Sequence, residues 1–188
     1  MGDGALAIGR RVVVTGMAGS GKSTFSRALS AKTGLPLIHL DVHYWKPGWV
    51  KPSNDEWREE QRPLLAGAAW IVDGNYHETL ELRLERADTV VFLYTPWSVC
   101  AGRAFLRGLR KPVDEMPEGC PDSAWRRLRD EWRLTVVIFR NRRSEREREH
   151  EIISQHGQNA ALHVLRSKRA AREFLDALDV EYTETNDA

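Results

Sequence analysis

Cysteine is scarce in this 188-residue sequence, which contains only Cys100 and Cys120. Two cysteines cannot build a disulfide framework or a zinc site at this spacing, and they are typical of reduced thiols. Apolar runs of the ~18–20 residues needed to cross a membrane are also missing. The first residues lack the basic start and long apolar stretch of a signal peptide. We therefore expect a cytoplasmic protein with no membrane partner.

Net charge is nearly absent as well, because 28 basic residues balance 27 acidic ones. This balance excludes a uniformly basic coat for nucleic acid but allows a local patch. Lysine is the scarce base, with 6 Lys against 22 Arg, and the planar guanidinium of arginine suits phosphate recognition. A hydrophobic share of 41% with 29% charged residues argues against wholesale disorder.

Short β-branched runs alternate with helical patterns along the chain, which indicates an α/β fold with a mostly parallel sheet covered on both faces. The predicted strands are residues 11–15, 35–40, 70–73, 88–94 and 161–166. The predicted helices are residues 22–32, 53–65, 77–86, 95–109, 122–156 and 168–178, with a capping box opening the second and Thr95-Pro96 opening the fourth. We expect a single domain over residues 1–188, with a core of about 10–99 and 159–180 and a helical insertion of about 100–158.

The strongest motif is a phosphate-binding loop, Gly16-Met-Ala-Gly-Ser-Gly-Lys22-Ser23, which fits GxxxxGK[ST] at every fixed position. A strand precedes it and a helix follows it, so backbone amides and the helix N-terminus would point at phosphates. We expect Lys22 to reach the β- and γ-phosphates, Ser23 to bind Mg²⁺ and Thr24 to contact the α-phosphate. The predicted nucleotide-binding set is Gly16, Gly19, Ser20, Gly21, Lys22, Ser23 and Thr24.

Candidate acceptor residues follow the second predicted strand, where open α/β sheets bind ligands. Asp41 is placed to deprotonate an acceptor hydroxyl or to hold Mg²⁺ through water, and the alternative is that it caps a short turn. His43 suits a hydrogen-bonding wall better than a catalyst. Tyr44, Trp45 and Trp49 could stack on a flat substrate or fill the core.

A second carboxylate follows the third strand, in Asp73-Gly74-Asn75-Tyr76. Asp73 suits a Mg²⁺-water ligand, and Gly74 would give the substrate room. Asn75 and Tyr76 could fix polar groups of the substrate. A plain turn that ends the strand is the alternative for this segment.

Arginines follow the fourth strand at helical spacing, namely Arg103, Arg107 and Arg110. A helical lid carrying such cations would stabilise a migrating phosphoryl group and exclude water. Of these arginines, we expect Arg103 and Arg107 to be the ones with a catalytic role. The alternative for any one of them, and for most of the nine arginines between residues 126 and 148, is a solvated helix face.

The segments GMAGSGKST, HLDVHYWKPGW, WIVDGNY, TLELRLERADTVVFLY and MPEGCP together resemble the bacterial topology-modulation proteins. Those are P-loop proteins similar to adenylate kinase and other small nucleoside or nucleotide kinases. The resemblance implies a three-layer P-loop fold with a five-stranded sheet and a helical lid, binding ATP with Mg²⁺. It carries over to the functional positions Gly16, Gly21, Lys22, Ser23, Asp41, Asp73 and Arg83, the last as a substrate-side residue without an assigned role.

Two departures from that resemblance matter. Adenylate kinases have Phe-Pro-Arg after their Asp-Gly, whereas Asn75-Tyr76 stands here, so the arginine that would grip an acceptor phosphate is missing. The Arg/Glu-rich stretch 140–151 matches no pattern of the family.

The sequence therefore predicts an ATP-dependent kinase that acts on a small hydroxyl- or phosphate-bearing acceptor. The alternative is a nucleotide-responsive regulator whose Arg-rich helix contacts nucleic acid or a protein. A hydrolytic NTPase is weaker, because no water-positioning residue can be named.

Overall fold

The computed structural model describes residues 6–108, 118–120, 124–141 and 144–178. Five parallel strands form one sheet in the order β2-β3-β1-β4-β5. They are β1 (Arg11–Thr15), β2 (Leu37–His39), β3 (Trp70–Asp73), β4 (Thr89–Leu93) and β5 (Ala161–Leu165). Val14 of β1 and His39 of β2 both pair with Asp73 of β3, so three strands end at the same edge of the sheet. This edge is called the carboxyl edge below.

Helices connect the strands. They are α1 (Lys22–Thr33), α2 (Leu40–Tyr44), α3 (Asn54–Leu64), α4 (Leu80–Leu84), α5 (Trp97–Gly108), α6 (Ala124–Asn141), α7 (Ser144–His156) and α8 (Lys168–Ala177). A short 3-10 helix, residues His77–Thr79, precedes α4. None of the helices that the structure describes is long and apolar enough to cross a membrane.

The sheet separates two hydrophobic cores, because successive side chains of a strand point to opposite faces. On one face, Val12 and Val14 pack with Phe25 and Leu29 of α1 and with Phe174 of α8. We call this the α1 face. On the other, which we call the α7 face, Val13 packs with core residues of α3, α4 and α7, namely Trp57, Leu80, Leu84 and Ile153. The three-layer α/β fold expected from the sequence is confirmed.

Strands bounded by glycine were predicted best. The strands predicted at residues 11–15 and 70–73 have those bounds in the structure, because Gly16 and Gly74 follow them directly. The strand predicted at residues 35–40 is only β2, residues 37–39. Leu40 instead begins α2, where its side chain is fully buried in the α7-face core.

Helix α5 begins one residue later than predicted. It starts at Trp97 rather than at Pro96, and the amides of Val99 and Cys100 donate to the Pro96 carbonyl. The Thr95 hydroxyl donates to the backbone carbonyl of Ser20, at 3.1 Å. The polar helical stretch expected at residues 122–156 holds two helices, α6 and α7, and residues 109, 122 and 123 lie outside the described residues.

The two ends of the described chain meet. Leu6 forms an isolated parallel bridge with Leu178, and its amide donates to the Ala177 carbonyl at 3.1 Å. Because Leu6 precedes the start of β1 and Leu178 follows α8, this bridge lies at the edge of the sheet opposite the carboxyl edge.

Candidate active site

The loop between β1 and α1 has a backbone that requires glycine. Gly16, Gly19 and Gly21 have φ values of 135°, 79° and 101°, in the left-handed region that side chains disfavour. A Cβ at Gly16 would lie 2.7 Å from the Leu93 carbonyl oxygen, and one at Gly19 would lie 2.4 Å from that of Cys100. The glycines therefore let the loop pack tightly against the start of α5 while it keeps its wrapped conformation.

The N-terminus of α1 has a glycine, Gly21, at the capping position, so the capping residue supplies no side-chain hydrogen bond to the first amides. The first turn holds Ser23, which is partly exposed, and Thr24, which is exposed. Because amides at a helix start need acceptors and carry partial positive charge, this loop fits an anionic phosphate chain.

Lys22 folds over the same loop. Its Nζ donates to the carbonyl oxygens of Gly16, at 2.7 Å, and Met17, at 3.2 Å. The Ser20 carbonyl accepts from Arg103 Nη1 at 3.2 Å, and the buried Ser20 Oγ has no hydrogen-bond partner among the described residues. Two cations thus border the loop.

Asp73 lies at the end of β3 and is buried, with 3% of its surface exposed. One carboxylate oxygen, Oδ1, lies 2.6 Å from His39 Nδ1, and the other, Oδ2, is buried without a partner in the part of the chain that the structure describes. Alternation along β3 puts Asp73 on the α1 face with Ile71. It therefore fits a Mg²⁺-water ligand on the face of the sheet that carries Ser23.

Few protein ligands are available for a metal ion there. No group of three or more His, Cys, Asp or Glu side chains in the described ranges could hold one. Mg²⁺ is usually bound by one or two protein groups together with substrate phosphates and waters. Ser23 and Asp73 fit that pattern.

Asp41 lies on α2, near the carboxyl edge. Its Oδ1 accepts a hydrogen bond from the Tyr76 hydroxyl at 2.6 Å, and the carboxylate is otherwise exposed. Burial and the nearby Asp41 charge raise the pKa of Tyr76, so this phenol stays a hydrogen-bond donor. Tyr76 thereby holds the Asp41 carboxylate in place while leaving it exposed.

Aromatic rings cluster beside Asp41. Tyr44 lies 4.4 Å from Tyr76 and 5.1 Å from the buried Trp57, measured between ring centroids. Trp45 and Trp49, 5.6 Å apart, are only partly buried and form the outer part of this cluster. Tyr44 and Tyr76 thus pack against the core, whereas Trp45 and Trp49 remain accessible. His43 is exposed on α2.

The loop bearing these tryptophans contacts the segment 118–120. The Gly48 amide donates to the Gly119 carbonyl at 3.0 Å, and Cys120 Sγ donates to the Lys46 carbonyl at 3.3 Å. Part of the insertion between β4 and β5 therefore docks on the acceptor side of the site.

Arg83 is fully buried beneath the loop that follows β3. Its Nη1 donates to the Gly74 carbonyl at 2.9 Å and its Nη2 to the Tyr76 carbonyl at 2.7 Å. Burial lowers the pKa of Arg83 to about 10. Arg83 thus contacts the backbone that carries Asn75 and Tyr76. Asn75 Oδ1 is buried without a partner among the described residues.

Comparison with solved structures identifies the fold. A shikimate kinase from Acinetobacter baumannii, solved with shikimate, is similar over 88% of this chain and 88% of its own, with a TM-score of 0.50 and 18% identity. The shikimate kinase from Bacteroides thetaiotaomicron is similar over 88% of this chain and 94% of its own, with a TM-score of 0.50 and 18% identity. The chain has the fold of a P-loop kinase. No protein-family model matches it, and no curated protein matches it in sequence.

The P-loop kinase fold gathers most of the predicted residues at one edge. The phosphate loop, Arg103, Asp41, Asp73 and Tyr76 all follow strands that end there. Arg107 lies on α5, but its side chain falls outside the described part of the structure, as does the whole of Arg110. Of the MPEGCP turn, only residues 118–120 are described.

Three residues of this edge were missed from the sequence. His39 contacts Asp73, while His77 and Glu149 lie 3.9 Å apart between Nε2 and Oε2. His39 could have been found, because it ends the strand before Asp41. Glu149 carries only a weak signal. It lies four residues before Ile153, a buried residue of α7, and residues four apart share a helix face.

Proposed function

We propose that this protein is an ATP-dependent phosphotransferase that moves the γ-phosphoryl group of ATP to a small hydroxyl- or phosphate-bearing acceptor. One observation carries the proposal: a glycine-built phosphate loop with Lys22 across it shares the carboxyl edge with an accessible carboxylate, Asp41. A phosphate-binding loop alone would serve any nucleotide-binding protein. The addition of a positioned base is typical of a kinase.

The residues that would hold the nucleotide are those of the loop. Backbone amides at Gly19–Thr24 would bind the phosphates, and Lys22 would exchange its loop carbonyls for phosphate oxygens. Ser23 and Asp73 would hold Mg²⁺, which supplies neutralisation of the phosphate charge. Arg103 would add a cation at the same loop.

Asp41 is the group that we propose takes the proton. The acceptor oxygen bonds to the γ-phosphorus while the bond from that phosphorus to the β,γ-bridging oxygen breaks, and ADP leaves with its electron pair. The proton of the acceptor hydroxyl passes to a carboxylate oxygen of Asp41, which Tyr76 holds in place. Lys22 and Arg103 stabilise charge on the phosphoryl oxygens.

The acceptor side favours a neutral hydroxyl over a phosphate. Arg83 is engaged by the carbonyls of Gly74 and Tyr76, and Asn75 and Tyr76 stand where adenylate kinases have an arginine. Trp45 and Trp49 would line a flat or ring-shaped acceptor. One protein of the same fold is solved with shikimate. We infer a small cyclic acceptor such as a nucleoside, and we keep membership of the topology-modulation proteins and a cytoplasmic location as proposals.

The test is product formation from ATP, Mg²⁺ and a panel of nucleosides, nucleotides and hydroxylated ring acids. Lys22→Ala should lower kcat by about 10²–10³-fold, because it removes a cation that stabilises the transition state. Lys32→Ala is the matched control, since Lys32 lies in the last turn of the same helix and donates to the Leu175 carbonyl. It should leave kcat within about twofold.

Asp41→Asn provides a second test of the same chemistry. It keeps the hydrogen bond from Tyr76 but removes the base, so kcat should fall by about 10²–10⁴-fold with little change in ATP affinity. Asp55→Asn, in the first turn of α3, is the control. If no acceptor of the panel is phosphorylated, or if Asp41→Asn keeps full activity, the proposed function is wrong.

One observation supports the regulatory alternative. Trp132 and Phe139 of α6 are 58% and 52% exposed, and Arg129, Arg133 and Arg140 are exposed on the same helix. Aromatic rings interspersed with arginines suit stacking on single-stranded nucleic acid. This function requires an affinity for nucleic acid that falls steeply with salt concentration, and an affinity that is absent or insensitive to salt would exclude it.

A further inference from the structure

Glu149 is a carboxylate buried inside the kinase fold. It belongs to the Arg/Glu-rich helix α7, yet only 1% of its surface is exposed, while Glu147, Arg148, His150 and Glu151 beside it are all exposed. A buried charge is costly unless other groups compensate it. The groups that surround Glu149 and compensate its charge therefore indicate its role.

The first partner of Glu149 is the strand that leads into the phosphate loop. The Thr15 hydroxyl donates to Glu149 Oε1, and Thr15 directly precedes Gly16. Lys22 adds a favourable charge. Burial alone would raise the pKa of Glu149, but His77, Thr15 and Lys22 together lower it, so the side chain is a carboxylate.

The second set of partners belongs to the acceptor side. His77 Nε2 lies 3.9 Å from Glu149 Oε2, and Glu149 is the leading opposite charge for buried Arg83. His77 Nε2 and Arg83 Nε are both buried without a hydrogen-bond partner in the described residues. Arg83 in turn holds the carbonyls of Gly74 and Tyr76, and Tyr76 holds Asp41.

Glu149 approaches from the opposite side of the sheet to Asp73. Alternation along β1 puts Val13 and Thr15 on the α7 face, while Asp73 lies on the α1 face with Ile71. Asp73 and Ser23 are thus left to the metal. Glu149 instead lies under the junction between the phosphate loop and the loop at residues 74–79.

We propose that Glu149 is a positioning residue that couples the two halves of the active site. Through Thr15 it holds the phosphate loop. Through His77 and Arg83 it holds the loop at residues 74–79, called the acceptor loop, whose Tyr76 hydrogen bonds to Asp41. The two loops then stay fixed relative to each other, which keeps the acceptor oxygen aligned with the γ-phosphoryl group as transfer requires. This inference rests on the proposed function for its meaning, but the coupling itself can be measured without turnover.

The test is amide hydrogen exchange with and without a non-hydrolysable ATP analogue and Mg²⁺. In the unaltered protein the analogue should slow exchange at residues 16–24 and also at residues 74–79. In Glu149→Gln the analogue should still slow exchange at residues 16–24, but at least four-fifths of the slowing at residues 74–79 should be lost. With an acceptor identified, the same variant should lower kcat by about 10–100-fold and change the KM for ATP by less than about threefold.

Controls separate coupling from damage to the fold. Glu147→Gln alters an exposed carboxylate of the same helix and should keep the full effect at residues 74–79. Thr15→Val removes the donor hydroxyl and keeps the Glu149 charge. It should also weaken the effect, and it serves as the test if Glu149→Gln fails to fold.

Two results would overturn the inference. One is slowing at residues 74–79 that is undiminished in Glu149→Gln or, if that variant does not fold, in Thr15→Val. The other is no slowing at those residues in the unaltered protein. A protein that shows the coupling but phosphorylates no acceptor would refute the proposed function and leave the coupling standing.

Discussion

Arg83 illustrates a charge that acts inside the protein rather than on a ligand. Its guanidinium is fully buried, two of its donors hold backbone carbonyls, and Glu149 makes the largest favourable charge contribution to its pKa. Burial lowers its pKa to about 10, so it stays protonated at neutral pH. The family resemblance named this arginine as a substrate-side residue without a role, and in the structure it holds the backbone of the loop that follows β3.

Replacing Arg83 by Met should therefore destabilise the fold. The variant leaves Glu149 buried with one charge partner fewer and two carbonyls without donors, for which a loss of about 3–5 kcal/mol is expected. The measurement is urea unfolding followed by tryptophan fluorescence. Arg86→Met, an exposed arginine three residues further on, should change the free energy of unfolding by less than about 0.5 kcal/mol. Equal losses in both variants would contradict the assignment.

Helix α3 shows how one element is fixed by its first turn. Glu56 N donates to Ser53 Oγ at 3.3 Å, and Ser53 N donates to Glu56 Oε2 at 2.7 Å, which completes the capping box expected from the sequence. The Ser53 hydrogen bonds, followed by Lys46, lower the pKa of Glu56 from 4.5 to about 2. The element is thus tied to the loop that carries Lys46 and the accessible tryptophans.

The capping box predicts an acid dependence of stability. Because the folded-state pKa of Glu56 is lowered, its contribution is present above pH 4.5 and is lost as the pH falls from 4.5 toward 2. Glu56→Gln keeps a capping side chain without that titration. Its urea midpoint should lie below that of the unaltered protein at pH 7, and the two should converge toward pH 2. Glu59→Gln, outside the capping box, should not reproduce this convergence, and a constant offset for Glu56→Gln would contradict the prediction.

At the level of elements, local pattern explains what sequence could predict. β1 and β3 are β-branched runs closed by glycine, and α3 begins with its capping box, so their bounds were readable. α2 has only five residues, too few for a periodic signal. Its start depends on the tertiary packing that buries the Leu40 side chain in the α7-face core. The hydrogen bond from the Thr95 hydroxyl to the Ser20 carbonyl joins residues 75 positions apart, so no local pattern could predict it.

For the whole molecule, the limit of prediction is contact between distant parts of the chain. The phosphate loop, Asp41 and Asp73 could be proposed from the sequence because each lies at or just after the end of a strand of a parallel sheet. Glu149 meets Thr15 across 134 positions of sequence, and nothing in the polar pattern of α7 marks which carboxylate turns inward. The fold was thus predictable from local patterns, and so were candidate site residues that lie at strand ends. The buried residues that support the site, such as Glu149, could be identified only from the tertiary structure.

The bridge between Leu6 and Leu178 makes the protein suitable for circular permutation. The two ends of the described chain are hydrogen bonded at the edge away from the phosphate loop, so they can be joined by a short flexible linker. New ends can open between Gly67 and Ala68, in an exposed turn before β3. We expect this circular permutant to bind an ATP analogue within about threefold of the original, measured by calorimetry. A break placed between Gly16 and Gly21 is the control, and it should abolish binding. Domains fused at the 6–178 junction would then lie away from the phosphate loop and leave it unobstructed.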